Sequence, residues 1–185
     1  MNKTTIIAII FLLTMAVFPF LVDSAWLGIG ITFLVFAVVA FSQDIILGRA
    51  GIFNMGHAIF FGIGAYTTAI LNVHFGFEII ATVPFAIILP IIISILLAGP
   101  IIHLRGDYLL VATIGFNIIF EQVLKNNVFD VTGGPSGIFG IDVVRIFGYE
   151  LYSDTAIYYI AFGLLLITLF IIRNLDNSKY GRALY

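Results

Sequence analysis

The chain has 185 residues, 62% of them hydrophobic and only 10% charged, with a mean hydropathy of +1.18 and a formal net charge of −2. Soluble domains carry about 25% charged residues, so this composition excludes an ordinary soluble enzyme and a disordered tail, and the absence of a basic excess excludes a nucleic-acid binder. With no cysteine there is no disulfide framework, thiol nucleophile or thiolate metal site; what remains is an all-α, polytopic membrane protein, and at about 20 residues per span six or seven spans are the ceiling.

Charge is costly at the bilayer centre, so the charge-free intervals mark the spans. The first runs from Thr4 to Val22 and the second from Ser24 to Gln43. Lys3 and the apolar run Ile6 to Val17 resemble a signal peptide. Asp23 and Pro19 spoil the cleavage site, however, which favours an uncleaved first span. The third interval, Ala50 to Phe77, opens on a glycine-rich stretch and places its helix near His57 to Val73. The fourth, Ile79 to Leu104, contains Pro84, Pro90 and Pro100 and predicts a bent helix. The fifth covers Tyr108 to about Leu124, with Glu121 near its end, and the sixth covers Thr155 to Ile172.

Six crossings put both termini on one side. With the termini inside, Lys3, Arg49, Arg105, Arg173, Lys179 and Arg182 lie on the inner face, and only Lys125 and Arg145 lie outside. That bias is what the positive-inside rule expects. One transmembrane domain over 1–185 is the domain reading.

Between Gly48 and Tyr66 small residues recur. Ala58 and Gly62 form a small-xxx-small pair that lets helix backbones approach closely, and Gly56 and Gly64 extend this packing surface. The front half, through Asn54 and Gly56, holds too much glycine for a comfortable helix. Non-helical backbone at membrane depth survives only inside protein or beside water. The stretch is therefore either a bent entry segment lining a pathway or a loop leading into a tightly packed helix. His57, early in that helix, is either a pathway group or a neutral histidine bonded near the interface; His74 and His103 read as interfacial.

Leu104-Arg-Gly-Asp-Tyr108 marks the turn into the fifth span. That span carries Thr113, Asn117, Glu121 and Lys125 four residues apart, hence on one helix face. The row is either a polar seam toward a water-filled path, or an interfacial Glu121–Lys125 pair beside hydroxyl and amide bonds to neighbouring helices. Polar seams toward lipid are excluded. Asn54, His57, Tyr66, Thr113, Asn117 and Glu121 are thus the candidate path residues. The segment Val131 to Gly140 forms a loop with specific turns around Gly133, Gly134, Pro135 and Gly137, read as an outer gate, a docking loop or a tight connection. It lacks the Lys-Ser/Thr ending of a P-loop. No nucleotide-binding, metal-ligand or nucleophile–base pattern stands out, and neither a catalytic residue nor a cofactor is expected.

Three ordered blocks carry a resemblance: Gly48-Arg-Ala-Gly through Gly-Ile-Gly-Ala-Tyr66, Leu104-Arg-Gly-Asp-Tyr with Thr113-x-Gly-Phe116, and Thr132-Gly-Gly-Pro-Ser-Gly137. They resemble the permease subunits of bacterial branched-chain amino acid ABC transporters, in the LivM-type rather than the LivH-type branch. The closing Ser178-x-x-Gly-Arg-Ala-Leu184 is similar to the family segment that leads into the ATPase-docking loop. The resemblance implies a truncated N-terminal part of a permease in the bacterial inner membrane. It also implies a second permease subunit, two ATPase subunits and a periplasmic or lipoprotein amino-acid receptor as partners, with Leu, Ile or Val as cargo. Related permeases handle urea, short amides or other amino acids. Where the family often has Gly-Glu after Gly-Phe, this chain has Asn117 and Ile118, with Glu121 one turn on. The alternative reading is a stand-alone membrane scaffold that transports nothing.

Overall fold

The structure is a computed structural model describing residues 3–101, 103–104, 106–146, 149–179 and 181. Arg105 and the closing residues 182–184, both used in the readings above, lie outside the described residues. The chain is all-α in class: α1 (Lys3–Val17), α2 (Ser24–Asp44), α3 (His57–Phe75), α4 (Ile79–Ile101), α5 (Asp107–Lys125) and α6 (Asp154–Asn177). A two-residue antiparallel pair, β1 (Arg145–Ile146) with β2 (Tyr149–Glu150), precedes α6 and aligns Arg145 with Glu150. Among the described residues, five helices are long and apolar enough to cross a membrane: α2 with its continuation to Arg49, α3, α4, α5 and α6.

The first element is shorter than its charge-free interval. α1 stops at Val17 and passes into a 3-10 turn, Phe18–Phe20. Pro19 is the physical reason: it has no N–H to give the carbonyl of Met15, four residues back. α4 keeps its helical assignment through Pro84 and Pro90 without interruption. α2 ends in one turn of π-helix, Ile45–Arg49, and residues 51–56 are non-helical, as the glycine content of that stretch predicts.

The helices gather into two compact units. The first contains residues 1–45 and 151–185, hence α1, α2 and α6. Its core is Leu27 and Leu34 of α2 against Tyr158, Ala161 and Leu165 of α6. Phe18 stacks on Tyr158 with ring centroids 5.9 Å apart. The Tyr158 hydroxyl donates to the Met15 carbonyl at 2.8 Å and the Tyr159 hydroxyl to the Ala16 carbonyl at 3.0 Å. These two hydroxyls satisfy the carbonyls exposed where Pro19 breaks α1, a requirement that is stringent in lipid.

The second unit, residues 46–150, contains α3, α4 and α5 with the loops after α5. α3 turns into α4 at Gly76, which takes a left-handed φ of 68°. Gly56 lies beside Thr113, and Gly62 beside Phe120, so α3 and α5 run parallel. α3 also packs on α4: a Cβ on Gly64 would lie 3.3 Å from the Ala86 carbonyl. Apolar burial gives little drive between helices in lipid, so close backbone packing and hydrogen bonds carry the association.

Candidate functional site

In the second unit, the N-terminal ends of α3 and α5, the C-terminal end of α4 and residues 51–56 surround a cavity of about 590 Å³. That volume falls within the roughly 300–1,000 Å³ range of small-molecule sites. Ile52, Phe53, Ile59, Phe60, Leu97, Ala98, Ile101, Leu104, Leu109 and Phe116 supply apolar walls, and Asn54, Ser94 and Thr113 supply the polar side chains. No Asp, Glu, Lys or Arg among the described residues lines it. The cavity can therefore host a small solute with an aliphatic body, and it offers no paired acid and base.

Its wall is fixed by short bonds. The Met55 N–H donates to Thr113 Oγ1 at 3.1 Å, and that hydroxyl donates to the Leu110 carbonyl at 3.0 Å. Thr113 is buried and thereby pins the non-helical segment to α5. The Gly56 N–H donates to Asn54 Oδ1 at 2.7 Å, closing the turn into α3. A Cβ on Gly56 would come within 3.1 Å of that same oxygen, so a side chain there would crowd the turn.

The residues singled out in the sequence are distributed unevenly. Asn54, Gly56 and Thr113 line the cavity; His57, Tyr66, Asn117 and Glu121 are not among its lining residues. His57 opens α3 half-buried, and Tyr66 is half-buried further along it. Glu121 and Lys125 form an ion pair at 2.5 Å, each about half exposed. The close contacts of α3 run through Gly62, whose Cβ would lie 2.7 Å from the Phe120 ring, and through Gly64; Ala58 sits on an exposed face.

The loop with Gly133, Gly134, Pro135 and Gly137 is built around Asn127. Its Oδ1 accepts from the N–H groups of Thr132 (3.0 Å) and Gly133 (2.9 Å) and from the Thr132 hydroxyl. Gly133 takes a φ of 71° and packs so closely on the Gly137 carbonyl that a Cβ would collide with it. Gly134 and Thr132 are buried.

Sequence reasoning missed this role of Asn127, and also that of Asn72. The buried Asn72 of α3 donates to the Phe77 carbonyl (2.8 Å) and to Asp142 Oδ2 (3.4 Å), and its Oδ1 accepts the Asp142 N–H at 2.8 Å. An asparagine four residues before a turn glycine is the local signal that could have flagged it; its partner seventy residues on is not written nearby.

Residues 25–185 match the family model described as the branched-chain amino acid transport system permease component. The chain belongs to that family. It is 32% identical over 197 aligned residues to the high-affinity branched-chain amino acid transport system permease protein LivM of Escherichia coli K12, and 31% identical over 196 to its namesake from Salmonella typhimurium LT2. Each alignment covers 93% of this chain and 46% of the relative, so the chain spans a little under half the length of the curated relatives it matches. No solved structure matches it.

Proposed function

We propose that this family member forms part of the membrane path of an ATP-driven importer for branched-chain amino acids, in the bacterial inner membrane. The carrying observation is the cavity, with no charged residue among its described lining residues, whose aliphatic and aromatic walls suit a Leu, Ile or Val side chain. Family membership and the naming of both relatives support the same cargo. On this reading ATP hydrolysis falls to two ATPase subunits, with a second permease subunit and an amino-acid receptor completing the assembly.

The basic residues support an orientation. With Arg49, Arg173 and Lys179 on the cytoplasmic side and Lys125 and Arg145 outside, α3 and α5 begin at the inner face and the cavity lies toward the cytoplasm. Both termini are then cytoplasmic, Lys3 among the inner charges. A reporter fused after Tyr185 that works only when exported should stay inactive; activity would reverse this orientation.

Deleting the gene should abolish saturable uptake of radiolabelled leucine, and restoring it should recover uptake. Unchanged uptake in the deletion strain would sink the reading. A second reading is a scaffold that transports nothing. It predicts that the chain co-purifies with membrane partners while leucine uptake is indifferent to its loss.

A further inference from the structure

Among the described helix hydroxyls, those of Thr14, Thr32, Thr67, Thr82, Ser94 and Thr168 each return to a carbonyl of their own helix. The Asn72 amide is engaged at both of its ends. Asn117 is different. It lies near the middle of α5, about 15 Å along the helix axis from Asp107. It is half-buried, and its amide makes no hydrogen bond to any described residue. A side-chain amide has two donors and an oxygen with two lone pairs, and at bilayer mid-depth lipid can satisfy none of them.

The surroundings say what does. Four and eight residues on, the same stripe carries Glu121 and Lys125, ion-paired and about half exposed. One turn in the other direction is Thr113, which lines the cavity. Away from the stripe, to its side and on the opposite face of the helix, Val111, Ile118 and Ile119 are exposed and apolar, as a lipid-facing surface is. An apolar helix laid over the stripe would leave the amide unsatisfied and strip water from the ion pair, a costly arrangement. Water satisfies both.

We infer that the Asn117–Glu121 face of α5 borders a water-filled route running from the Lys125 end of the helix to the bilayer centre, and that the Asn117 amide is its innermost polar contact, placed to hydrogen-bond the charged main-chain groups of a passing amino acid. The inference rests on the permease reading, and its test separates the two. The 185 residues contain no cysteine, so a single introduced cysteine is the only thiol of these residues. In the assembled transporter in membrane vesicles, Asn117→Cys and Glu121→Cys should react with a membrane-impermeant, charged thiol reagent added on the Lys125 side, at least tenfold faster than Ile118→Cys. Leucine at saturating concentration should slow labelling of Asn117→Cys several-fold. Asn117→Gln should retain uptake, whereas Asn117→Leu should raise KM for leucine about tenfold at unchanged amounts of assembled complex.

An unreactive Asn117→Cys alongside a reactive Glu121→Cys would mean that a polar helix covers the amide, and would overturn the route. Labelling that leucine does not slow, with uptake normal in Asn117→Leu, would overturn the contact. Labelling is read without transport, so water access at Asn117 in a chain that moves no leucine would refute the permease reading while leaving the route intact.

Discussion

The two units solve the problem of cohesion in lipid by opposite means. In the unit of α1, α2 and α6, the described buried side chains are Leu27, Leu34, Tyr158, Ala161, Leu165 and Ile172, and the single buried hydroxyl closes a broken helix end. In the unit of α3 to α5 lie Thr67, Asn72, Thr82, Thr113 and Thr132, every described buried polar residue apart from that tyrosine, together with the cavity; close glycine contacts occur in both units, at Gly62 and Gly64 here and at Gly30 against Phe18 and Tyr158 in the first. Apolar interlocking suits a part that stays assembled. Directional bonds and glycine contacts hold a hollow open and leave a few discrete contacts through which it can be rearranged.

The sharpest way to break this comparison is Gly62→Leu. A side chain there meets the Phe120 ring at once, and overpacking of this kind costs about 1–3 kcal/mol or more. We expect loss of nearly all uptake and of most assembled complex. Gly62→Ala should be milder and should be rescued by Phe120→Leu, which vacates the space. Failure of that rescue would show that Phe120 is not what Gly62 accommodates.

Next in size is Asn72→Leu, which removes the clasp to Phe77 and Asp142 and leaves the Asp142 N–H without its acceptor. Stranding such a group costs about 1–3 kcal/mol. Proteolysis of the segment between α5 and α6 should become several-fold faster, while the melting of α1, α2 and α6, followed by hydrogen exchange, should hold.

Tyr158→Phe probes the first unit. Losing the bond to Met15 should lower stability by about 1 kcal/mol and leave KM for leucine unchanged. A changed KM would move the first unit into the transport cycle and dissolve the contrast. Smallest of all is Ala58→Leu, on an exposed face of α3: we expect thermal stability of the purified chain within about 0.5 kcal/mol of wild type, the usual range for surface substitutions. A large loss would return Ala58 to the packing surface that the small-xxx-small spacing suggests.

The sequence by itself determined the membrane class and the span positions, because charge exclusion from hydrocarbon acts residue by residue. Asp23, Asp44, Glu78 and Asp107 delimit the intervals, and α2, α3 and α5 begin or end within about two residues of where the charge pattern places them. The ordered glycine blocks likewise sufficed for the family, and the glycines of residues 51–56 announced a break in the helix. At α1, Pro19 ends the α-helix at Val17, and the chain continues as a 3-10 turn, Phe18–Phe20, within the same charge-free interval. Tertiary structure alone decided which small residues are contacts and which polar residues meet. The spacing of Ala58 and Gly62 is the same whichever way α3 is turned, and only the placement of Phe120 and Ala86 selects Gly62 and Gly64. The four-residue row on α5 reads as one stripe in the sequence. The fold divides it into a Thr113 that pins the cavity wall, an ion pair at the helix end, and between them an Asn117 whose amide bonds to none of the described residues. Periodicity fixes which residues share a face; what that face meets depends on helices brought together from distant parts of the chain.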